Sequence, residues 1–157
     1  MPSVLFVCTG NICRSPMAEA LFKEMISRHK ADGDWRVASA GVGAYDGFPA
    51  SENARWVMQK RGISLKDHHS QSISVELLQS YDLILTMEKR QRDVLRAMAP
   101  QIQERIFMLS EMVGRVEDVE DPIGASLEDY ERTAKTIEEY LEDGYSTILR
   151  LAINQKA

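Results

Sequence analysis

Apolar residues along the chain fall into short unbroken runs and longer runs that repeat every three to four positions, and the two kinds alternate. Residues 4–7, Val-Leu-Phe-Val, read as a buried strand, and Thr9-Gly10-Asn11 then supply residues that tolerate a turn. Met17, Leu21 and Met25, flanked by Ala18, Phe22 and Ile26, form one face of a helix, with Pro16 suited to its first turn and Ser15 to its cap. The alternation continues with a strand over 35–40, a helix over 51–61 stopped at Gly62, and a short helix over 75–79. A strand over 82–87, a helix over 88–99 ended by Pro100, and a strand over 106–109 follow. Ser126 with Asp129 resembles a capping box, opening a long C-terminal helix whose core stripe is Leu127, Tyr130, Ala134, Ile137, Leu141, Ile148 and Leu149. Gly144 bends or interrupts that helix.

Four strands separated by helices predict an α/β fold, a doubly wound four-stranded parallel sheet with helices on both faces. A length of 157 residues with 44% hydrophobic content suits one domain over 1–157, and no repeat or Gly/Ser/Pro-rich linker divides it. The net charge of −5 is spread without a basic stripe, which argues against nucleic acid and anionic membrane as partners. The first residues lack the charged start of a signal peptide and no apolar run is long enough to span a bilayer, so a cytoplasmic location is expected. The two cysteines, Cys8 and Cys13, are too few for a disulfide framework or a four-ligand zinc site. No metal and no cofactor are therefore expected.

In a doubly wound sheet ligands bind beyond the carboxyl ends of strands, and the first strand delivers Cys8-Thr9-Gly10-Asn11-Ile12-Cys13-Arg14-Ser15 to that edge before a helix begins. Such a loop can aim several backbone N–H groups and a helix dipole at one anion, and Arg14 can add a bidentate fork. The same field favours a thiolate, which makes Cys8 a nucleophile. The Ser15 hydroxyl either caps the helix or donates to the sulfur. No Gly-Lys-Ser/Thr and no G-x-G-x-x-G follows the strand, which disfavours nucleotide binding. Without the Gly-Asn turn and the Ser-Pro that follows, Cys8 would read as a buried, inert thiol, and Asp121 alone as a turn residue in an acidic loop.

The segment 7–16, Val-Cys-Thr-Gly-Asn-Ile-Cys-Arg-Ser-Pro, with Asp121-Pro122 far downstream, resembles the signature of the low-molecular-weight protein tyrosine phosphatases, bacterial type. Ser39-Ala40-Gly41, the strand over 82–87 and the last helix also resemble landmarks of that family at its spacing. The resemblance implies a protein phosphatase that hydrolyses phosphotyrosine through a cysteinyl-phosphate intermediate. Cys8 would attack phosphorus, Arg14 and the loop of Thr9, Gly10, Asn11, Ile12, Cys13 and Ser15 would hold the oxygens, and Asp121 would protonate the leaving oxygen and then activate water. One carboxyl can serve both steps, because the acid of the first step becomes the base of the second. The resemblance further implies that Ser39 and His68 support the loop with Asn11. It implies that Cys13 traps oxidised Cys8 as a reversible disulfide, although Cys13 reads equally as a packed small hydrophobe. Ile12, Tyr45 and Ile123 would line the substrate pocket, and Ile123-Gly124 after Asp-Pro looks bacterial.

The expected partners are a phosphorylated protein and, at the loop, inorganic phosphate or other oxyanions. A protein arginine phosphatase of the same superfamily is the alternative, suggested by Cys8-Thr9-Gly10-Asn11 and by residues 121–124, but the hallmark loop threonine of those enzymes is Ile12 here. An arsenate reductase would need redox cysteines after Cys13, and the sequence has none. A catalytically silent phosphoprotein-binding module would use the same loop without turnover; the presence of both Cys8 and Asp121 argues for an enzyme.

Overall fold

The computed structural model describes residues 1–29 and 33–154. In chain order the elements are β1 (Ser3–Cys8), α1 (Arg14–His29), β2 (Arg36–Gly41), α2 (Glu52–Lys60), α3 (Val75–Gln79) and β3 (Leu83–Thr86). Then come α4 (Lys89–Met98), β4 (Ile106–Met108), α5 (Leu127–Asp143) and α6 (Tyr145–Asn154). The strands form one sheet in the order β2-β1-β3-β4, and every neighbouring pair is parallel. The sequence predicted this α/β architecture, and the structure has it.

β1 is apolar without alternation because it is central, with all six residues buried between helices on both faces. Val4, Phe6 and Cys8 face a core shared with Phe22 of α1, Met58 of α2, Ile137 of α5 and Ile148 of α6. Leu5 and Val7 face the opposite core, with Leu78 of α3 and Leu95 of α4. Phe6 and Phe22, both fully buried, meet edge to face at 5.7 Å. Each buries apolar area worth roughly 1.5–3 kcal/mol.

Several boundaries differ from the pattern-based reading for physical reasons. α1 starts at Arg14 rather than at Pro16, so Ser15 lies inside the helix and does not cap it. β4 stops at Met108 because Leu109 enters a 3-10 turn, Leu109–Val113. α2 ends at Lys60, with Gly62 left-handed at φ 76° two residues on. The C-terminal stripe is divided into α5 and α6 at Gly144. A Cβ there would lie 2.7 Å from Met112 Cβ and 2.8 Å from the Tyr140 carbonyl, so this crossing requires glycine.

The strand order decides where the chemistry lies. From β1 the chain leaves to one side for β2 and returns on the other side for β3, so the loops after β1 and β3 diverge and leave a crevice at their carboxyl ends. Cys8 is the last residue of β1, and Glu88 and Gln91 sit just beyond β3. No helix among the described residues is long and apolar enough to cross a membrane.

Candidate active site

The loop after Cys8 is held open by hydrogen bonds from its surroundings. The Cys8 carbonyl accepts from Val42 N at 3.0 Å, that of Thr9 from Gly43 N at 2.9 Å, and that of Ile12 from Ser51 N at 2.8 Å. Asn11 is fully buried and left-handed at φ 58°, a conformation that asparagine tolerates better than most residues. Its Oδ1 accepts from Gln71 N at 2.9 Å, and its Nδ2 donates to Ser15 Oγ at 2.8 Å and Ser39 Oγ at 2.9 Å. His68 Nε2 donates to the Asn11 carbonyl at 2.7 Å, and Ser39 Oγ donates to Glu19 Oε1 at 2.7 Å. Gly41 lies directly behind the loop. A Cβ there would come within 2.4 Å of the Thr9 carbonyl, so only glycine lets β2 pass.

These bonds fix how the Cys8 sulfur is approached. Ser15 Oγ lies 2.9 Å from Cys8 Sγ, accepts from Asn11 Nδ2 at 2.8 Å and can donate to the Ala40 carbonyl at 3.4 Å. Asn11 N donates to the same sulfur at 3.3 Å. α1 begins six positions later, and its N-terminal end adds positive potential beside the loop. Ser15 lies inside α1 rather than at its cap, and its hydroxyl is in contact with the sulfur.

Arg14 is 1% exposed, and its Nη1 is held twice, by Glu88 Oε2 at 2.5 Å and by the Val119 carbonyl at 2.7 Å. Its Nη2 lies 3.5 Å from Asp121 Oδ2, while its buried Nε has no hydrogen-bond partner among the described residues. The Nε–Nη2 edge is therefore the one left for two oxygens of a single anion. Asp121 is carried by a segment pinned to the end of β3 through Val119 N, which donates to the Met87 carbonyl at 2.8 Å. Buried Gln91 ties the same turn to the loop. Its Oε1 accepts from Met87 N at 3.1 Å and Glu88 N at 2.9 Å, and its Nε2 donates to Thr9 Oγ1 at 3.0 Å.

Cys13 is buried with its sulfur 3.4 Å from Ser51 Oγ and 3.3 Å from the Tyr130 hydroxyl. Burial pushes its thiol up, against the pull of those two hydrogen bonds. Burial, aided by the Cys13 contact, pushes Tyr130 up to about 12. Ile12 borders a cleft of about 450 Å³ with Tyr45 and Phe48, whose rings meet edge to face at 6.5 Å. Ile123 is 57% exposed and does not line that cleft.

The structure thus brings Cys8, Thr9, Gly10, Asn11, Ile12, Cys13, Arg14, Ser15, Ser39, His68 and Asp121 into one crevice, with Tyr45 on the Ile12 side. Sequence reasoning missed Glu88, Gln91, Gln71, Glu19 and Phe48. The usable signal for the first two was their place, directly after the carboxyl end of a predicted strand. Among the described residues, no group of three or more His, Cys, Asp or Glu side chains could hold a metal ion.

Beyond the carboxyl ends of a parallel sheet the fold thus gathers a thiol, a buried guanidinium and a carboxyl close to one helix N-terminus. The low molecular weight phosphotyrosine protein phosphatase family matches residues 3–151, and the chain belongs to that family. It is 38% identical over 139 residues to a protein-arginine-phosphatase of Bacillus subtilis, covering 88% of this chain and 91% of the relative. The crystal structure of a low molecular weight protein tyrosine phosphatase from T. tengcongensis is similar at 40% identity and TM-score 0.88, covering 94% of this chain and 99% of that one. A Cys-to-Ser mutant of the YwlE arginine phosphatase, with a phosphorylated active-site serine, is similar at 36% identity and TM-score 0.87, covering 94% and 95%.

Proposed function

We propose that this protein, as a single phosphatase domain over 1–157, hydrolyses phosphotyrosine in proteins through a phosphocysteine on Cys8, without a metal. The observation that carries the reading is the Cys8 sulfur, which accepts from Asn11 N at 3.3 Å and lies 2.9 Å from Ser15 Oγ, in a loop whose Arg14 also lies 3.5 Å from Asp121. A sulfur at the mouth of such a loop, beside a helix N-terminus, is placed to attack an anion held there. Arg14 takes two phosphoryl oxygens on its Nε–Nη2 edge, and the loop amides take the third. As the P–S bond forms and the P–O bond breaks, Asp121 gives its proton to the departing oxygen. Water then attacks phosphorus, Asp121 takes a proton from it, and the P–S bond breaks to release phosphate and the thiolate. The phosphorylated serine in the Cys-to-Ser YwlE mutant supports a covalent step of this kind.

Turnover of p-nitrophenyl phosphate in the presence of a chelator tests the assignment. Cys8→Ser is expected to retain less than about one per cent of the rate, because serine is a far weaker nucleophile at neutral pH. A higher residual rate would remove Cys8 from the role. The apolar wall of Ile12 and the nearby ring of Tyr45 support an aryl leaving group. The second reading, a phosphoarginine substrate, is favoured by the 38% identity to a protein-arginine-phosphatase. Matched phosphotyrosine and phosphoarginine peptides decide between them by the ratio of kcat/KM. A cytoplasmic setting suits both readings, since Cys8 and Cys13 are free thiols.

A further inference from the structure

The surface beside Ile12 is unlike the rest of this acidic chain. Ser51, which caps α2, binds the Ile12 carbonyl through its N–H, so whatever sits on that side of the loop also meets the first turn of α2. Three large aromatic side chains are exposed there: Tyr45 at 78%, Phe48 at 57% and Trp56 at 49%. Grouped exposed apolar side chains rimmed by charge mark interaction sites. Gly10 and Ile12 of the loop also line the 450 Å³ cleft, which makes cleft and loop continuous. Arg55 forms part of its wall, and with Trp56 and Lys66 it lines an adjoining groove of about 660 Å³. Arg55 and Lys66 have no ion-pair partner among the described residues, and Lys60 lies over the Trp56 ring at 5.4 Å. Glu52 is the one acid lining either groove, so the face has an excess of positive charge in a chain of net charge −5. The segment Glu117, Asp118, Glu120 and Asp121 approaches the loop from the β3 end and is negative.

We propose that this face docks the stretch of the phosphorylated protein next to its phosphorylated residue, and that it selects a stretch that is acidic and carries an apolar or aromatic side chain. The apolar side chain packs on the exposed rings of Phe48 and Trp56, beyond the Ile12 and Tyr45 wall that faces the leaving group, and the carboxylates meet Arg55 and Lys66. The acidic segment across the loop repels such a stretch and so sets the direction in which it lies. The inference rests on the loop being the phosphate site.

The test uses kcat/KM for p-nitrophenyl phosphate and for matched phosphopeptides whose flanks are acidic or basic, with wild type, Arg55→Glu and Phe48→Ala. Wild type is expected to favour the acidic peptide by about tenfold at low salt, and by less at about 0.2 M, because exposed charge pairs are screened. Arg55→Glu should remove or invert that preference while leaving p-nitrophenyl phosphate within about twofold, since a charge at the rim acts on the charged partner. Phe48→Ala should weaken peptides with an apolar neighbour by about fivefold, with no such loss on a peptide bearing glycine there. Equal changes on both peptides, or none, would overturn the docking face. So would a concentration-dependent dimer that Arg55→Glu abolishes, because the face would then belong to a second copy. If wild type binds acidic peptides through Arg55 yet turns over no aryl phosphate, the phosphatase reading fails and the docking face stands.

Discussion

Replacing Glu88 by alanine tests whether the Arg14 charge is held in place by the partner that the fold supplies. Arg14 is 1% exposed, and Glu88, 19% exposed at its side chain, meets it at 2.5 Å. Removing one member of a buried ion pair costs about 3–5 kcal/mol, because the other is left buried without its counter-charge. Glu88 touches solvent and Asp121 remains 3.5 Å away, so the cost is discounted to just below that range, about 2–3 kcal/mol. For a chain of this length each kcal/mol lowers Tm by about 2–4 °C, which gives a fall of about 4–12 °C. An oxyanion in the loop replaces the missing negative charge, so saturating phosphate or vanadate should raise the Tm of the mutant more than that of wild type. Turnover should drop about tenfold, because the guanidinium loses one of the two bonds that orient it. Differential scanning fluorimetry with and without oxyanion is the assay. A mutant within about 2 °C of wild type without oxyanion, or an equal rise for both proteins with it, would refute the reasoning.

Ile12→Thr should shift relative kcat/KM toward phosphoarginine peptides by about five- to thirty-fold, an order of ~1–2 kcal/mol for exchanging an apolar contact for a hydroxyl of similar shape. An unchanged ratio would show that Ile12 does not set specificity. Mild peroxide should inactivate wild type reversibly, with oxidised Cys8 captured by Cys13 and water lost, whereas Cys13→Ala should not recover with added thiol; intact mass showing no loss of two hydrogens would contradict this. Arg61 holds Glu131 below the usual carboxylate range, so Glu131 contributes stability that is complete above pH about 4.5 and is lost as pH falls through its lower folded value. Glu131→Gln should therefore cost less than about 1 kcal/mol at neutral pH, the pair being partly exposed, and that cost should shrink toward acid. A pH-independent difference in Tm would place its origin elsewhere.

The loop was legible in the sequence because local chemistry dictated it, whereas its supports Ser39 and His68 entered only through the family resemblance. A β-run ending in Cys8, a turn at Gly10-Asn11 and an arginine at the helix start are decided within a few residues of one another. Gly144 as the divide between α5 and α6 follows from a local rule of the same kind, sharpened by a backbone crossing at Met112. Glu88 and Gln91 were not legible because their partners, Arg14 and Thr9, are 74 and 82 positions away. Those pairings exist only because β3 lies next to β1, and alternating helices and strands do not specify that order. Ser15 was ambiguous for a related reason: a hydroxyl near a helix start can cap it or turn inward. In the fold α1 starts one residue earlier, at Arg14, and the hydroxyl lies inward against Cys8 and Asn11.

The most direct test of the central claim is to trap the covalent intermediate. Asp121→Asn should keep attack on an activated aryl phosphate while slowing hydrolysis of the phosphoenzyme, since the second step needs a base. Acid quenching within one turnover, followed by peptide mapping by mass spectrometry, should place close to one phosphoryl group per chain on Cys8. Absence of phosphoenzyme, or phosphate on any other residue, would contradict the account.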